Sequence, residues 1–346
     1  MKESFRLDDA LALRTHLAKA RRVWQALADA RGDRHWLPVD NDSPLPVAGE
    51  LAPLAPKALL FAERESLFTF DGTRFRETRP AVEPAVLFGA AACDLAAINY
   101  QDRFFADDPW YRARHAALLL VGLDCNSPCN GGFCPLTASG PFVRDSHADL
   151  VLPRGEDGWR LFVQSEAGAQ AIAGFTGLSA ADESRTSFAQ QHEPAVVAQF
   201  AAVESLRRGV DAIQQGRVAP ATWQRLGTEC ITCSGCTVSC PTCSCFATRQ
   251  ETSVPDSTIN AVRFWDSCIY EGFQREASGH NPTAADGSRI ERYWTHKFGS
   301  SFVARFGHVT CVGCGRCDRA CPSGIGARSV LTRLGKDSAV NPGDDA

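Results

Sequence analysis

Residues 230–241 read Cys-Ile-Thr-Cys-Ser-Gly-Cys-Thr-Val-Ser-Cys-Pro, and residues 311–322 read Cys-Val-Gly-Cys-Gly-Arg-Cys-Asp-Arg-Ala-Cys-Pro. Both runs follow the spacing C-x2-C-x2-C-x3-C-P. Three thiolates at this interval fit on one tight loop, where each can bind a different iron of a 4Fe–4S cubane. The two complete runs therefore predict two 4Fe–4S clusters.

The fourth cysteine of each run is predicted to bind the cluster of the other run. In bacterial two-cluster ferredoxins, the cysteine that precedes the proline ligates the cluster held by the opposite run. This rule predicts two interleaved ligand sets. The first set is Cys230, Cys233, Cys236 and Cys321, and the second set is Cys311, Cys314, Cys317 and Cys240.

Zinc is the main alternative to iron at these runs, because C-x2-C pairs also build structural zinc sites. A closed zinc site has no use for a third cysteine at the same interval, nor for a proline after the fourth. A disulfide framework is a weaker alternative, because the chain is long and shows no export signal. Iron–sulfur ligation is the favoured interpretation.

The composition of the 346-residue chain limits its class. Its 15 cysteines, without an export signal, indicate metal or redox chemistry rather than disulfides. The formal net charge of −4 gives no sign of nucleic-acid binding. The longest apolar run, residues 116–123, is too short for a membrane span. Because residues 1–6 contain no apolar signal region, we expect a cytoplasmic protein.

The hydrophobic pattern predicts an α+β protein. Short β-prone runs between residues 58 and 122 are bounded by Gly, Pro and Asp, which is typical of strands. Residues 7–30 and 194–216 carry apolar side chains at helical spacing. The predicted units are a mixed α/β domain over residues 1–190, a connecting helix over 191–220, the cluster-binding domain over 221–335 and a flexible tail over 336–346.

Four further cysteines lie at or just after the ends of predicted strands in the first domain. Thiols on loops at one edge of a sheet can converge on one more metal centre, but the irregular spacing fits reduced core thiols equally well. Gly131 and Gly132 would allow the backbone to wrap closely around such a centre. The four cysteines are Cys93, Cys125, Cys129 and Cys134.

The last three cysteines are Cys243, Cys245 and Cys268, which lie just after the first run or in the long gap between the runs. They are interpreted as packing or supporting residues, or as three ligands of a cluster whose fourth ligand lies elsewhere. The sequence contains no Gly-x-Gly-x-x-Gly after a strand, no Walker A motif and no specific catalytic constellation. We therefore expect neither a flavin or nucleotide site nor a catalytic site of its own.

Residues between the ligands are further candidates for a role at the clusters. Gly235, Gly313 and Gly315 would allow backbone N–H groups to approach the cluster sulfides, which is one way to set a cluster's potential. Arg316 lies between two ligands. Its expected roles are to offset cluster charge, to meet an acidic face of a partner, or to be a solvated surface residue.

Several short motifs between Lys57 and Arg333 resemble a known family. They are Phe88-Gly89, Ala92-Cys93-Asp94-Leu95, Cys125, Phe133-Cys134, residues 240–246, Trp265-Asp266-Ser267-Cys268, His296-Lys297 and residues 311–317. With these motifs the chain resembles the beta subunit of cytoplasmic sulfhydrogenases, which are NAD(P)-linked nickel–iron hydrogenases. It is also similar to the corresponding subunit of anaerobic sulfite reductase, from the same family.

The resemblance implies an α-helical ferredoxin fold for the C-terminal domain and a role in carrying electrons. In such complexes a flavin subunit exchanges hydride with NAD(P)H. The beta subunit then relays single electrons to or from the nickel–iron hydrogenase, whose small and large subunits are the implied partners. In the other branch the acceptor is a sirohaem subunit. Direct reduction of sulfur or polysulfide at a cluster with an open iron is a further hypothesis.

One ligand position departs from the family pattern. Family members carry Cys-Phe-Cys where this chain has Gly132-Phe133-Cys134, so one expected thiol is missing. The resemblance makes Cys129 the substitute, which would complete a third 4Fe–4S cluster with Cys93, Cys125 and Cys134. If Cys129 cannot reach, that cluster is incomplete or absent. The trio of Cys243, Cys245 and Cys268 also matches the family.

Overall fold

The computed structural model describes residues 3–40, 42–155, 158–200, 203–253 and 258–340, which form two β-sheets and twelve α-helices. The strands are β1 (Ser4–Leu7), β2 (Arg22–Ala28), β3 (Arg34–Pro38), β4 (Arg64–Phe70), β5 (Phe75–Glu77), β6 (Ala85–Ala91), β7 (Leu118–Leu123), β8 (Leu150–Leu152), β9 (Arg154–Gly155), β10 (Gly158–Val163), β11 (Leu178–Ala180), β12 (Phe246–Thr252) and β13 (Ile259–Trp265).

The helices are α1 (Ala10–Ala18), α2 (Ala92–Phe104), α3 (Pro109–Ala116), α4 (Glu166–Ala171), α5 (Arg185–Val197), α6 (Val203–Gln214), α7 (Pro220–Glu229), α8 (Gly235–Ser239), α9 (Asp286–Phe298), α10 (Ser300–Phe306), α11 (Arg316–Ala320) and α12 (Ala327–Val340). Short 3-10 helices span Pro56–Leu59, Cys134–Thr137 and Glu271–Gln274. Within the described ranges, no helix combines the length and apolar character needed to cross a membrane.

The larger sheet has the strand order β11-β1-β10-β8-β7-β6-β2-β3, with β9 paired to β10. Its centre is parallel, from β8 through β7 and β6 to β2, and its flanks are antiparallel. Both faces of the central strands are buried: Leu87 and Leu120 enter one core cluster, and Val86 and Val121 enter another. This explains why these strands are continuously apolar in sequence.

The smaller sheet joins the two halves of the chain. Its order is β12-β13-β4-β5, and all its pairs are antiparallel. Beneath it the buried Arg263 guanidinium on β13 pairs with Glu65 on β4 and with Asp108 at the start of α3. The sheet therefore fixes the long segment between the two cysteine runs to the N-terminal half.

Two helical expectations need correction. Residues 7–30 form helix α1 followed by strand β2, because β2 is recruited as a parallel neighbour of β6 and this pairing overrides the local helical spacing. Residues 194–216 contribute to two helices, α5 and α6, with a turn after Val197. Residues 201 and 202 of that stretch lie outside the described residues. The α+β class itself is confirmed.

The C-terminal half is mainly helical around the cysteine loops. Helix α6 packs on α12, and α7 packs on α9. The first crossing is very close, since a Cβ atom on Gly209 would lie 2.2 Å from the carbonyl oxygen of Leu331. Buried side chains of these helices, among them Leu206, Trp223 and Tyr293, share a core cluster with the cysteines of both runs. The helices thus pack against much of both loops, while Cys233 of the first run is exposed.

Candidate metal centres

The two cysteine runs adopt the same backbone conformation. In each run the residue before the second cysteine and the residue after it have positive φ, at Thr232 and Ser234 in the first run and at Gly313 and Gly315 in the second. Non-glycine residues rarely adopt this region of backbone space. The shared conformation, which is strained at Thr232 and Ser234 but not at Gly313 and Gly315, indicates that both loops are shaped for one purpose.

Each run also aims one backbone N–H group at the sulfur of its first cysteine. The Thr232 N–H donates to Cys230 Sγ at 3.4 Å, and the equivalent Gly313 N–H donates to Cys311 Sγ at 3.4 Å. Such hydrogen bonds stabilise the thiolate form that binds iron and tune cluster potentials. The Gly313 N–H group was predicted to approach a cluster sulfide. In the structure it donates to the sulfur of Cys311 instead.

A short helix in each run begins one residue before the third cysteine and contains it. These helices, α8 and α11, pack against each other. Gly235 begins α8, and a Cβ atom there would lie 3.0 Å from the carbonyl oxygen of Ala320, which precedes the last cysteine of the other run. Gly235 therefore allows the two runs to approach closely, which the interleaving of their ligands requires.

The fourth cysteine of each run lies beside the other run. Burial, and then the negative charges of Cys321 and Cys233, raise the pKa of Cys230. In the other direction, the charge of Cys240 raises the pKa of Cys311 and of Cys314, again after burial. The structure thus brings together the members of both interleaved sets.

The donor sets fit the chemistry of a 4Fe–4S cluster. Within the described ranges, no three Cys, His, Asp or Glu side chains are grouped as a single-ion site. A 4Fe–4S cubane needs four thiolates spread around it, because each thiolate binds a different iron. All-thiol sets with N–H donors to sulfur match that chemistry.

The four N-terminal cysteines converge at one edge of the larger sheet. Cys93 is the second residue of α2, which begins directly after β6, and Cys125 follows the neighbouring parallel strand β7. Cys129 and Cys134 lie on the next loop. Burial raises the pKa of all four thiols, and the charges of Cys125 and Cys129 raise that of Cys134 further. The cysteines predicted from strand ends are therefore neighbours in space.

Cys129 occupies the place of the missing thiol. A Cβ atom built on Gly132 would lie only 2.3 Å from Cys129 Sγ. The Cys129 sulfur therefore lies where a cysteine side chain at position 132 would point. The Gly132 N–H also donates to the Cys129 carbonyl at 3.2 Å, which closes the turn that brings this sulfur back.

The loop of the N-terminal cysteines lies directly on the second run. The Phe133 N–H donates to the Gly313 carbonyl at 2.7 Å, and Ser139 Oγ donates to the Val312 carbonyl at 2.7 Å. A Cβ atom on Gly313 would lie 2.7 Å from the Cys134 nitrogen. Position 313 therefore requires glycine for two reasons. Its φ is positive, and a Cβ atom there would collide with the backbone of the other loop.

Arg316 is buried within this junction, which corrects the expectation of a solvated or partner-facing residue. Its guanidinium makes a bidentate ion pair with Asp94 at 2.6 and 2.9 Å and donates to the Ala52 carbonyl at 2.8 Å. The two side chains are 0% and 1% exposed. Burial raises the pKa of Cys93 and of Cys314, and the Arg316 cation opposes this rise at both thiols, so it lies between two candidate centres. No role was predicted for Asp94 from the sequence, although it directly follows Cys93.

The remaining trio lies near the second ligand set. Cys243 and Cys268 are buried, and Cys245 is partly buried. A hydrogen bond with Cys268 lowers the pKa of Cys245 to about 6. The ammonium of Lys297 acts on all three thiols. The structure therefore groups the three cysteines around a lysine for which the sequence suggested no role.

Replacement of Asp94 by Asn should strongly destabilise the protein. The substitution leaves the buried Arg316 cation without a counter-charge, which costs about 3–5 kcal/mol in comparable buried pairs. The double variant Asp94→Asn with Arg316→Met should recover much of this loss, because it removes both charges. Thermal unfolding of anaerobically purified protein measures the effect.

An exposed pair provides the control for this prediction. Glu271 and Arg275 form an i,i+4 pair at the surface, so Glu271→Gln should change stability by less than about 1 kcal/mol. If Asp94→Asn is as mild as Glu271→Gln, then the buried pair does not stabilise the junction.

Comparison with known proteins agrees with this geometry. A family described as a 4Fe–4S dicluster domain matches residues 229–325. Sulfhydrogenase 2 subunit beta from Pyrococcus furiosus is 28% identical over 293 residues, which cover 81% of this chain and 83% of that protein. No solved structure gives a significant match. Over most of its length the chain is therefore similar to a sulfhydrogenase beta subunit, and its residues 229–325 match a 4Fe–4S dicluster domain, as its motifs indicated.

Proposed function

We propose that this chain is the iron–sulfur electron-transfer subunit of a cytoplasmic hydrogenase complex. It relays single electrons between a flavin subunit that binds NAD(P)H and the small subunit of a nickel–iron hydrogenase. The name of the Pyrococcus homologue favours this branch over a sulfite reductase. The observation that carries the proposal is the direct contact between the N-terminal cysteine loop and the second run, through Phe133 and Gly313.

The proposal assigns each cysteine set to one cluster. The two interleaved sets hold two clusters within residues 221–335, and the N-terminal four hold a third within residues 1–190. When bound, such clusters accept and donate one electron at a time. The thiol sets fix their positions, and apolar side chains of the C-terminal helices pack against most of them. The backbone contact at Gly313 keeps the second and third sets adjacent.

The position of Cys129 weighs against direct sulfur chemistry at the third set. An open iron there would require a missing fourth thiol, but the Cys129 sulfur lies where the family's cysteine side chain would point. With four thiols the set has no free position for a substrate. A relay without its own substrate site is therefore the function that the arrangement supports best.

The substitution Cys129→Ser should remove the third cluster. The expected result is a loss of about four irons per chain, one cubane, with the two clusters of the runs retained. Adding Gly132→Cys to this variant should restore the iron, because the new side chain points at the same place. Iron and acid-labile sulfide analysis of anaerobically purified protein measures both variants.

Asn130→Ala, at an exposed position of the same loop, is the matched control and should keep the full iron content. Equal iron in the wild type and in Cys129→Ser would refute the third cluster while leaving the two predicted from the runs untouched.

The proposed relay also predicts a flavoprotein partner. Native purification of the tagged chain from its own cells should recover a flavin-containing subunit, and adding NADH or NADPH to that complex should bleach the iron–sulfur absorption. Bleaching should not occur with the isolated chain, which has no predicted flavin site. Recovery of the chain without any flavin under native conditions would contradict the proposal.

A further inference from the structure

One predicted ligand lies at the protein surface. Of the 15 cysteines, all of which fall within the described ranges, only Cys233 is exposed. It belongs to the first predicted ligand set, whose other members are partly buried. Solvent exposure changes the potential of an iron–sulfur cluster, and exposed thiolates are the ones that oxidants reach. A ligand in this position therefore leaves its centre open to oxidants unless another molecule covers it.

Exposed apolar side chains lie next to Cys233. Ile231 is 63% exposed, Tyr270 is 42% exposed and Val238 is 37% exposed. The Tyr270 hydroxyl is hydrogen-bonded to Ser234 Oγ at 2.7 Å, and the Val238 N–H donates to the Ser234 carbonyl at 3.0 Å. Ser234 directly follows Cys233, so it connects these side chains to the exposed ligand. We call the surface formed by Ile231, Cys233, Val238 and Tyr270 the first-run face.

The first-run face is fixed from its inner side. The Thr237 hydroxyl is hydrogen-bonded to Ser267 Oγ at 2.9 Å, and the Thr237 carbonyl accepts from the buried Lys57 Nζ at 3.0 Å. The neighbours of Val238 on α8, Thr237 and Ser239, are both buried. Helix α8 is therefore anchored on one side and presents Val238 on the other. A surface held rigidly in this way loses little conformational entropy when a partner binds.

The first-run face has no charge at its centre. Residues 230–248 contain no Asp, Glu, Lys, Arg or His, although 22% of the chain is charged. Charged residues occur at its borders, where Glu229 pairs with Arg333 and Glu271 pairs with Arg275. An uncharged centre with a polar rim is typical of a protein interface. Because these border charges are paired within the chain, they provide no strong field of one sign to steer a charged partner.

The order of the ligand sets places this face at one end of the proposed relay. The N-terminal cysteine loop contacts the second run at Gly313, and the first run meets the second run through α8 and α11. The second set therefore lies between the other two. An electron that reaches the first set from the second has to leave the chain there, and Cys233 is the exposed member of that set.

We propose that the first-run face is the docking surface for a permanently bound subunit that has its own one-electron centre. This subunit covers Cys233 with an apolar, uncharged surface and exchanges single electrons with the first set. A transient carrier would instead need charges of one sign around the exposed ligand, because electrostatic steering brings such carriers to their sites. The inference rests on the proposed function and assigns one of its two partner contacts to named residues.

The test is the substitution Ile231→Glu in the complex purified natively through a tag on this chain. The variant should bind one redox-active subunit at least about tenfold more weakly, because a carboxylate would be buried without a partner at the centre of the interface. Gel filtration over a dilution series measures the dissociation, and loss of that subunit's flavin or metal from the complex identifies it. An Ile231→Glu complex that retains every redox-active subunit would overturn the proposal.

The matched control is Leu11→Glu, which introduces the same charge at an exposed apolar position of α1. This variant should keep the full complex. Tyr270→Glu lies outside both cysteine runs, and it decides the question if Ile231→Glu loses iron from this chain. It should weaken the same subunit, and a complete complex in Tyr270→Glu with wild-type iron content would also overturn the proposal.

Two further measurements separate this proposal from other occupants. The wild-type complex should remain intact in about 1 M salt, where charges are screened within roughly 3 Å, and dissociation there would favour a transient charged carrier. A dimer of the isolated chain that Ile231→Glu disrupts would assign the face to a second copy and overturn the proposal. A wild-type complex without any redox-active partner contradicts the proposed function itself, whereas an intact Ile231→Glu complex rejects only this inference.

Discussion

The buried ion pair between Arg316 and Asp94 is the interaction on which the arrangement of the centres depends. Arg316 lies between two ligands of the second run, and Asp94 directly follows a ligand of the N-terminal set. Because neither charge can be solvated, each side chain fixes the other, and the two loops cannot separate without exposing an uncompensated charge. One contact therefore fixes both the fold of the junction and the spacing of the two proposed redox centres.

Buried cations lie beside several of the places where the chain gathers thiols. Arg316 lies between the second and N-terminal sets, and Lys57 and Lys297 lie beside the Cys240–Cys245 loop. The chain as a whole is slightly acidic, with a formal net charge of −4, so these cations are placed locally. Iron–sulfur clusters with thiolate ligands carry negative charge, and nearby cations stabilise it and raise their potentials. The placement of buried charge follows the placement of the cysteines.

Local spacing predicted the ligand loops, because a cubane constrains residues close in sequence. Strand ends also predicted the meeting of the N-terminal cysteines, since neighbouring parallel strands end at one edge of a sheet. The partners of Arg316 and Lys57 could not be predicted, because they are about 200 residues away in sequence and no local pattern encodes them. The helix predicted over residues 7–30 was wrong for a similar reason, because pairing with β6 decided the conformation of β2. The placement of Cys129 against Gly132 likewise required coordinates.

The most direct test of the account is the EPR spectrum of the fully reduced, anaerobically prepared chain, recorded for the wild type and for Cys129→Ser. The central claim is that the N-terminal set lies directly against the second set, with backbone contact between their loops. The account predicts spectral splitting from magnetic interaction between these two centres in the wild type, and its loss in the variant while the interaction within the dicluster domain persists. A wild-type spectrum in which no interaction depends on Cys129 would contradict it.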